Sequence, residues 1–254
     1  MLKRTGRENP NAKIVLFLLI LYLFFSMVNN VGNLFDTISD SISSDVNFVD
    51  GEDTMLYLPA VDDIGEGVVA NLVVNVKAGT GRELINIDNL VFWEDTQQSI
   101  QTAKKVACDY TGVGEDSIDV TYSISSEGAT VVGGPSAGAA LTIATIAAIE
   151  NRELDSSIII TGTINEDGSI GTVGGIVEKA GAAEAVGGKL FLIPTGDADY
   201  SYLEAERVCE EGEITYCETV YKTVEGSVVE GVSIPVVEVS TIEEAIDYFW
   251  KEEA

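Results

Sequence analysis

A serine and a lysine are the two side chains of this sequence whose surroundings favour covalent chemistry. Ser136 lies in the heptapeptide Gly-Gly-Pro-Ser-Ala-Gly-Ala, between a stretch that alternates apolar and polar residues and a long apolar segment that predicts a helix. Unpaired N–H groups and the positive end of the helix dipole at a helix start can hold a developing oxyanion. Lys179 follows in the first turns of a second predicted helix. A hydroxyl and an amine can act together as nucleophile and base.

Each of these residues also has a plainer interpretation. Many serines after a Gly-Pro turn are N-caps of the helix that follows. Most lysines on helices are solvated, although apolar residues flank Lys179 and the chain has only 14 basic residues. The local sequence around Ser136 leaves both interpretations open, and the choice depends on the rest of the chain.

The sequence contains no histidine, and this removes several kinds of site. Ser-His-Asp and Cys-His catalytic systems and His-ligated zinc cannot be built without one. Three cysteines, Cys108, Cys209 and Cys217, are too few for a four-cysteine metal site. We therefore expect no metal and no cofactor, and a hydrolytic base has to come from Lys, Asp, Glu or Tyr.

The chain of 254 residues carries a net charge of −28. Nucleic-acid binding requires basic side chains that neutralise phosphates, so no nucleic-acid partner is expected. Acidic excess of this size keeps a surface hydrated, as in proteins of a high-salt environment. A generally acidic surface on a mesophilic protein is the alternative.

The 22 residues from Ile14 to Phe35 contain no charged side chain and are long enough for a helix that crosses a bilayer. Basic residues precede this segment and acidic residues follow it, which predicts a cytoplasmic N-terminus and an extracytoplasmic remainder. A cleaved signal peptide and a buried core helix are the alternatives. We predict a cytoplasmic N-terminus (1–13), a transmembrane anchor (14–35), a linker (36–53) and one folded domain (54–254).

The folded domain mixes short strands and helices, which indicates an α+β fold. The helix predicted over 137–151 has no polar face and is expected to be buried. Strands are predicted over 54–60, 68–77, 118–124, 157–162 and 189–193, and further helices over 97–110, 176–186 and 203–211. Asn165–Ser169 predicts a hairpin turn, and Ser240–Glu243 predicts the capping box of a terminal helix.

Several short motifs follow one another from just before the serine to the end of a predicted strand: Glu127-Gly128-Ala129, Gly134-Pro135-Ser136-Ala137-Gly138, Thr161-Gly162, Gly174-Gly175-Ile176-Val177-Glu178-Lys179, Gly187-Gly188 and Leu192-Ile193-Pro194. They are similar, in kind and in order, to motifs of the proteolytic domain of Lon proteases, which are Ser-Lys peptidases. Between about residues 127 and 194 the chain therefore resembles that family.

The resemblance implies a Lon proteolytic domain-like fold (ribosomal protein S5 domain 2-like) and a role for each matched residue. Ser136 is the implied nucleophile and Lys179 the implied base. Gly134 and Pro135 support the serine loop, and Thr161 is expected to orient the amine, although an ordinary strand threonine is the alternative. The resemblance also implies polypeptide substrates and a possible homo-oligomeric ring.

The sequence departs from the family pattern near the serine and in its architecture. Gly133 and Thr163 stand where acidic residues are common, and Tyr122 and Ile124 stand where many members have histidine. No G-x-x-x-x-G-K-[ST] motif occurs in the chain. The expected protein is a membrane-anchored, ATP-independent Lon-like serine endopeptidase of archaeal type.

Burial against the apolar helix at 137–148 and a place near a helix N-terminus should both lower the pKa of Lys179 towards the range of a general base. Two other functions compete with peptide hydrolysis. One is a phosphate-cradling loop at residues 133–139, as in small-molecule kinases, which the acidic charge disfavours. The other is an inactive, membrane-tethered binding module of the same fold.

The three cysteines have separate expectations. Outside the cell, Cys209 and Cys217 could form a local disulfide, with two free thiols as the alternative. Cys108, on the helix predicted over 97–110, is expected in the core.

Overall fold

The structure is a computed structural model that describes residues 53–86, 94–126, 134–210 and 216–251. The strands are β1 (Thr54–Val61), β2 (Gly67–Ala78), β3 (Glu83–Asn86), β4 (Ile118–Ser125), β5 (Ile158–Ile160), β6 (Thr163–Ile164), β7 (Ile170–Gly171), β8 (Leu190–Pro194), β9 (Asp199–Glu210), β10 (Tyr216–Ser227) and β11 (Val236–Val239). The helices are α1 (Glu94–Thr111), α2 (Gly138–Glu150), α3 (Ile176–Ala185), α4 (Val228–Gly231) and α5 (Ile242–Ile246). This mixture of helices and strands agrees with the expected α+β class.

A four-stranded sheet, in the order β1-β2-β4-β3, forms one layer of the domain. Its first two pairings are antiparallel, and β3 lies parallel to β4. In the middle of β2 every second residue is buried: Ala70, Leu72, Val74 and Val76. This alternation is the two-residue period of a strand with one face on the core. Helix α2 packs against β1 and β2, and α1 packs against α2.

Helix α2 is surrounded by the rest of the domain, as its all-apolar sequence predicted. Each residue from Gly138 to Ile149 is buried. The hydroxyls of its two threonines donate hydrogen bonds to carbonyls of the preceding turn, from Thr142 to Gly138 at 2.8 Å and from Thr145 to Leu141 at 2.7 Å. Small and β-branched apolar residues therefore let sheet and helices approach α2 on all sides, and no hydroxyl of the helix lacks a partner.

A second, parallel sheet has the order β11-β8-β5, and α3 lies between β5 and β8 in the chain. Strands β6 and β7 form the hairpin predicted around Asn165–Ser169. The strand predictions at 54–60, 68–77, 118–124, 157–162 and 189–193 and the helix predictions at 97–110, 137–151 and 176–186 are confirmed within a few residues at each end.

The helix predicted over 203–211 is wrong, because those residues belong to strand β9 as far as Glu210. Strand β9 pairs along its whole length with β10. The segment is rich in Glu, Ala and Arg, which favour a helix locally. The β-prone strand β10, which follows next in the chain, overrides that local preference, because the conformation of a strand depends on its pairing with residues outside its own segment.

The capping box at the C-terminal helix is shifted by one residue from its prediction. The N-cap is Thr241, whose hydroxyl accepts a hydrogen bond from the Glu244 backbone N–H at 3.2 Å. The Glu244 carboxylate in turn accepts from the Ser240 N–H at 2.8 Å. Thr241 and Glu244 thus take the places predicted for Ser240 and Glu243, although the Glu244 carboxylate binds the N–H of the residue before the N-cap instead of that of the N-cap itself.

The cysteines take two different states. Cys209 and Cys217 face each other across β9 and β10 and form a disulfide, which resolves the alternatives that the sequence left open. Cys108 is buried in the core as predicted, and burial raises the pKa of its thiol to about 11. A thiol of this kind stays protonated and unreactive at neutral pH.

The predicted anchor over 14–35 and most of the predicted linker lie outside the described residues. Among the helices of residues 53–86, 94–126, 134–210 and 216–251, none is long and apolar enough to span a bilayer.

A close approach between β2 and α3 positions the helix that carries Lys179. A Cβ atom added at Gly67 would lie 2.0 Å from the Glu178 carbonyl oxygen, so the two backbones touch where only glycine fits. Gly181, further along α3, has no heavy atom within 4 Å of an added Cβ.

We expect Gly67→Ala to destabilise the domain by roughly 2–3 kcal/mol, because the helix or the strand has to move. Gly181→Ala is the control and should be neutral or stabilising by up to about 1 kcal/mol, because alanine favours a helix. Denaturant unfolding of both variants measures the difference. Equal stability of the two variants would contradict the close approach.

Candidate active site

Ser136 lies in a short 3-10 turn, Pro135–Ala137, that leads directly into α2. The turn begins at Gly134 with a φ of 92°, a conformation that favours glycine. The N-cap of α2 is Ala137, and no side chain caps the helix. The interpretation of Ser136 as an N-cap is therefore wrong, and its half-buried hydroxyl has no capping role.

Helix α1 holds the turn from one side through hydroxyl groups. Ser99 donates to the Pro135 carbonyl at 3.2 Å, and Thr96 lies 3.4 Å from the Gly134 carbonyl. Both hydroxyls are buried. They satisfy carbonyls of the turn that would otherwise be desolvated without a partner.

The end of β5 holds the turn from the other side. The Ser136 carbonyl accepts hydrogen bonds from the Gly162 N–H at 3.0 Å and from the Thr161 hydroxyl at 3.3 Å. The Ala139 N–H returns a bond to the Gly162 carbonyl at 3.0 Å. The backbone of the serine turn, residues 134–136, is thus bound on both sides before any substrate arrives.

Thr161 stands on the serine side of this arrangement. The resemblance implied that it orients the lysine amine, whereas its described hydrogen bond goes to the Ser136 carbonyl. The side chain is fully buried. Its hydroxyl hydrogen is therefore engaged with the serine turn.

Lys179 is 4% exposed, so it is not the solvated helix lysine of the plainer interpretation. It belongs to the first turns of α3, whose N-cap Gly175 adopts a left-handed φ of 65°. Burial lowers the pKa of Lys179 to about 8, while the charges of Asp197 and Glu178 act in the opposite direction. Loss of hydration disfavours the ammonium form, as expected for a buried amine.

Ser136 and Lys179 line the same cavity, which has a volume of about 390 Å³. Gly134 and Pro135 are also in its wall, so four of the five predicted site residues meet there, with Thr161 behind the serine. The other described lining residues are Ala60, Val61, Thr163, Thr172, Val173, Gly174 and Gly175. Among the described residues of the wall, Lys179 carries the sole positive charge.

Thr172 and Val173, just before the Gly174-Gly175 motif, were not singled out in the sequence, although they also line the cavity. The Val173 N–H donates to the Asp197 carboxylate at 3.0 Å. Asp197 follows β8 in a Pro-Thr-Gly-Asp turn. A turn of this composition gives no sequence signal for a site residue.

The positions that depart from the family pattern have different places in the structure. Tyr122 and Ile124 are buried in the core, and the Tyr122 hydroxyl lies 2.9 Å from that of Thr145. Thr163 lines the cavity, whereas Gly133 lies outside the described residues. Across the described ranges, no three Cys, Asp or Glu side chains come together as a metal site.

Known proteins are similar to the part of this chain that contains the candidate site. The model of the Lon protease (S16) C-terminal proteolytic domain matches residues 94–230. The Lon protease of Buchnera aphidicola subsp. Acyrthosiphon pisum is 38% identical over 107 residues, which are 40% of this chain and 14% of that protein. The archaeal Lon protease of Archaeoglobus fulgidus is 32% identical over 123 residues, 48% of this chain and 19% of that protein.

The chain spans less than a fifth of the length of either relative. The family match nevertheless covers more than half of the chain and includes Ser136, Thr161 and Lys179. This chain therefore belongs to the family of the Lon protease C-terminal proteolytic domain.

Proposed function

We propose that this chain hydrolyses peptide bonds, with Ser136 as the nucleophile and Lys179 as the general base. The observation that carries the proposal is the shared cavity, in which a half-buried serine and a buried lysine come from different elements. A pKa of about 8 lets Lys179 exist partly as the free amine near neutral pH. An ordinary solvated lysine would be almost wholly protonated there.

In the first half of the reaction, the free amine of Lys179 takes the proton of the Ser136 hydroxyl as Oγ attacks the substrate carbonyl carbon. The negative charge that develops on the carbonyl oxygen is stabilised by backbone N–H groups of the serine turn at the start of α2. The C–N bond then breaks, and the Lys179 ammonium gives its proton to the leaving amine. An acyl ester on Ser136 remains.

In the second half, Lys179 removes a proton from a water molecule that attacks the ester. The C–O bond to Ser136 breaks, Oγ recovers the proton, and the new carboxylic acid leaves. Lys179 is again a free amine, so protons and electrons balance over one turnover.

The remaining predicted residues support the nucleophile. Gly134 allows the sharp entry into the turn, and Pro135 restricts the backbone next to the serine. Thr161 fixes the Ser136 carbonyl and thereby the direction of the neighbouring N–H groups. A site that is bound on two sides needs little reorganisation when charge develops.

We further propose that the substrates are polypeptides and that the domain itself cleaves them without ATP; no P-loop motif occurs in these 254 residues. The apolar segment 14–35 supports a membrane anchor with the catalytic domain outside the cytoplasm. The disulfide between Cys209 and Cys217 agrees with an oxidising compartment. A homo-oligomeric ring remains part of this proposal.

The activity test compares Ser136→Ala, Lys179→Met and Lys179→Arg with wild type on casein and on a fluorogenic peptide, without ATP. Each variant should lose about 10³-fold or more in kcat/KM, since arginine stays protonated and cannot serve as a base. A serine-reactive phosphonate should label wild type and leave Ser136→Ala unlabelled. For wild type, kcat/KM should rise with pH through about 8, the pKa of Lys179.

The control for this test is Lys189→Met, which removes an exposed lysine outside the cavity and should retain wild-type activity. Full cleavage by Lys179→Met would refute the proposed mechanism. A wild type that leaves every peptide intact at low and high salt would favour the inactive binding module. Labelling that depends on ATP would favour the phosphate-binding loop.

A second prediction concerns stability, because the residue that activates the serine should destabilise the fold. The folded pKa of Lys179 lies below its usual value of 10.5, so the unfolded chain binds more protons between pH 8 and 10.5. The loss of folding stability that the buried Lys179 causes is therefore complete below pH 8 and disappears as the pH rises to 10.5. Lys179→Met should raise the free energy of unfolding by about 1–3 kcal/mol at pH 7.

Denaturant titrations of wild type, Lys179→Met and Lys189→Met at pH 7 and pH 10 measure this effect. The gain of Lys179→Met should shrink several-fold at pH 10, and Lys189→Met should show no such gain. If the stability gain of Lys179→Met were the same at pH 7 and at pH 10, the lowered pKa of Lys179 in the folded state would not be its cause.

A further inference from the structure

We infer that Asp197 is a positioning residue of the candidate site: its carboxylate fixes the loop beside Ser136 and Lys179 and supplies the negative charge that acts on the amine. The inference rests on the proposed function and adds a role for a residue outside the predicted Ser-Lys pair.

The first contact of Asp197 is with the cavity wall. Its Oδ2 atom accepts a hydrogen bond from the Val173 N–H at 3.0 Å. Val173 belongs to the loop Thr172–Gly175, which lines the cavity and leads directly into α3. The bond therefore sets the position of a backbone that lies a few residues before Lys179.

Asp197 is itself held by a carboxylate on the neighbouring strand. The Glu238 Oε1 atom on β11 accepts from the Gly196 N–H at 2.8 Å and from the Ala198 N–H at 3.1 Å. These two residues flank Asp197 in the chain. The Asp197 N–H donates to the Pro194 carbonyl at 3.1 Å, which closes the turn after β8.

The same turn is joined to β11 at a second point. The Thr195 N–H donates to the Val239 carbonyl at 3.1 Å, and the Thr195 hydroxyl lies 2.8 Å from that of Ser240. A turn bound at this many points cannot follow a moving loop. Asp197 therefore transmits the fixed geometry of β8 and β11 to the wall of the cavity.

The charge of Asp197 has a separate effect. Within the described part of the chain, the anions that act on Lys179 are Asp197 and, more weakly, Glu178. Glu178 is exposed to solvent, which screens its charge, whereas Asp197 is half-buried. Glu238 directs its carboxylate to the two N–H groups of the turn.

An anion near a buried amine stabilises the ammonium form. Lys179 becomes an ammonium in the first half of the proposed reaction, when it takes the serine proton. Asp197 thus opposes the burial of Lys179, so that the amine can both accept a proton and hold it until the leaving group departs. Without Asp197, burial would lower the pKa of Lys179 further and make its amine a weaker base.

The test separates the hydrogen bond of Asp197 from its charge. Asp197→Asn keeps an oxygen that can accept from Val173 and removes the charge, whereas Asp197→Ala removes both. Asp199→Asn, an exposed carboxylate two residues further on, is the matched control for loss of one charge. The readouts are the pH dependence of kcat/KM and the titration of Lys179 by NMR of ¹³Cε-labelled lysine.

In Asp197→Asn, the acidic limb of the pH profile and the NMR titration of Lys179 should both move to lower pH, by at least about half a pH unit. The plateau of kcat/KM should stay within about threefold of wild type, because the loop keeps its hydrogen bond. In Asp197→Ala the same shift should come with a plateau that falls about tenfold or more. Asp199→Asn should change neither readout.

The inference is overturned if Asp197→Asn titrates like Asp199→Asn, or if Asp197→Ala keeps the wild-type plateau. Either result leaves the proposed function intact, provided that Ser136→Ala and Lys179→Met are inactive. The NMR titration repeated in a Ser136→Ala background measures the effect of Asp197 on Lys179 without any activity. It therefore still tests the charge effect if the proposed function fails.

Discussion

The removal of water from one lysine amine is the constraint on which this structure depends. Lys179 keeps 4% of its surface exposed, and that burial is the largest influence on its pKa. An isolated amine could not remain in such a place without a surrounding core that is stable enough to hold it. On α3, Ile176, Ala180 and Ala183 beside Lys179 belong to a buried apolar cluster that also contains Ile159, Phe191, Ile193 and Val228. The site lies where the starts of α2 and α3 face a common cavity.

Close backbone contacts make this arrangement specific. At Gly67 the second strand touches the carbonyl of Glu178, and at Gly138 an added Cβ would lie 2.6 Å from the Ile164 side chain and 2.8 Å from its backbone nitrogen. Each contact fixes the start of one helix, and each start carries one of the two proposed reactive side chains. With glycine at these two positions the neighbouring segments come into contact, whereas a larger residue would push them apart.

The overall negative charge of the chain and the neutral form of the Lys179 amine are electrostatically opposed. The chain carries a net charge of −28, whereas the proposed reaction needs an amine that is partly neutral, and anions close to that amine favour its charged form. Distant surface charges are screened by solvent and salt. The half-buried Asp197 is therefore the acidic group whose position matters, whereas most of the excess charge concerns hydration of the surface.

Sequence alone determined the parts of this protein that depend on local pattern. The order of short motifs identified the family, all-apolar composition predicted the buried α2, and alternation predicted the strands of the large sheet. It failed at β9, where helix-favouring residues pair with a strand that follows in the chain, and it could not find Asp197, whose turn resembles many others. The tertiary structure decided the disulfide, the cavity that joins Ser136 to Lys179 and the binding of Thr161 to the serine turn. The physical reason is that pairing, burial and hydrogen bonds between distant segments exist only once the chain has packed, whereas periodicity and turn chemistry are properties of neighbouring residues.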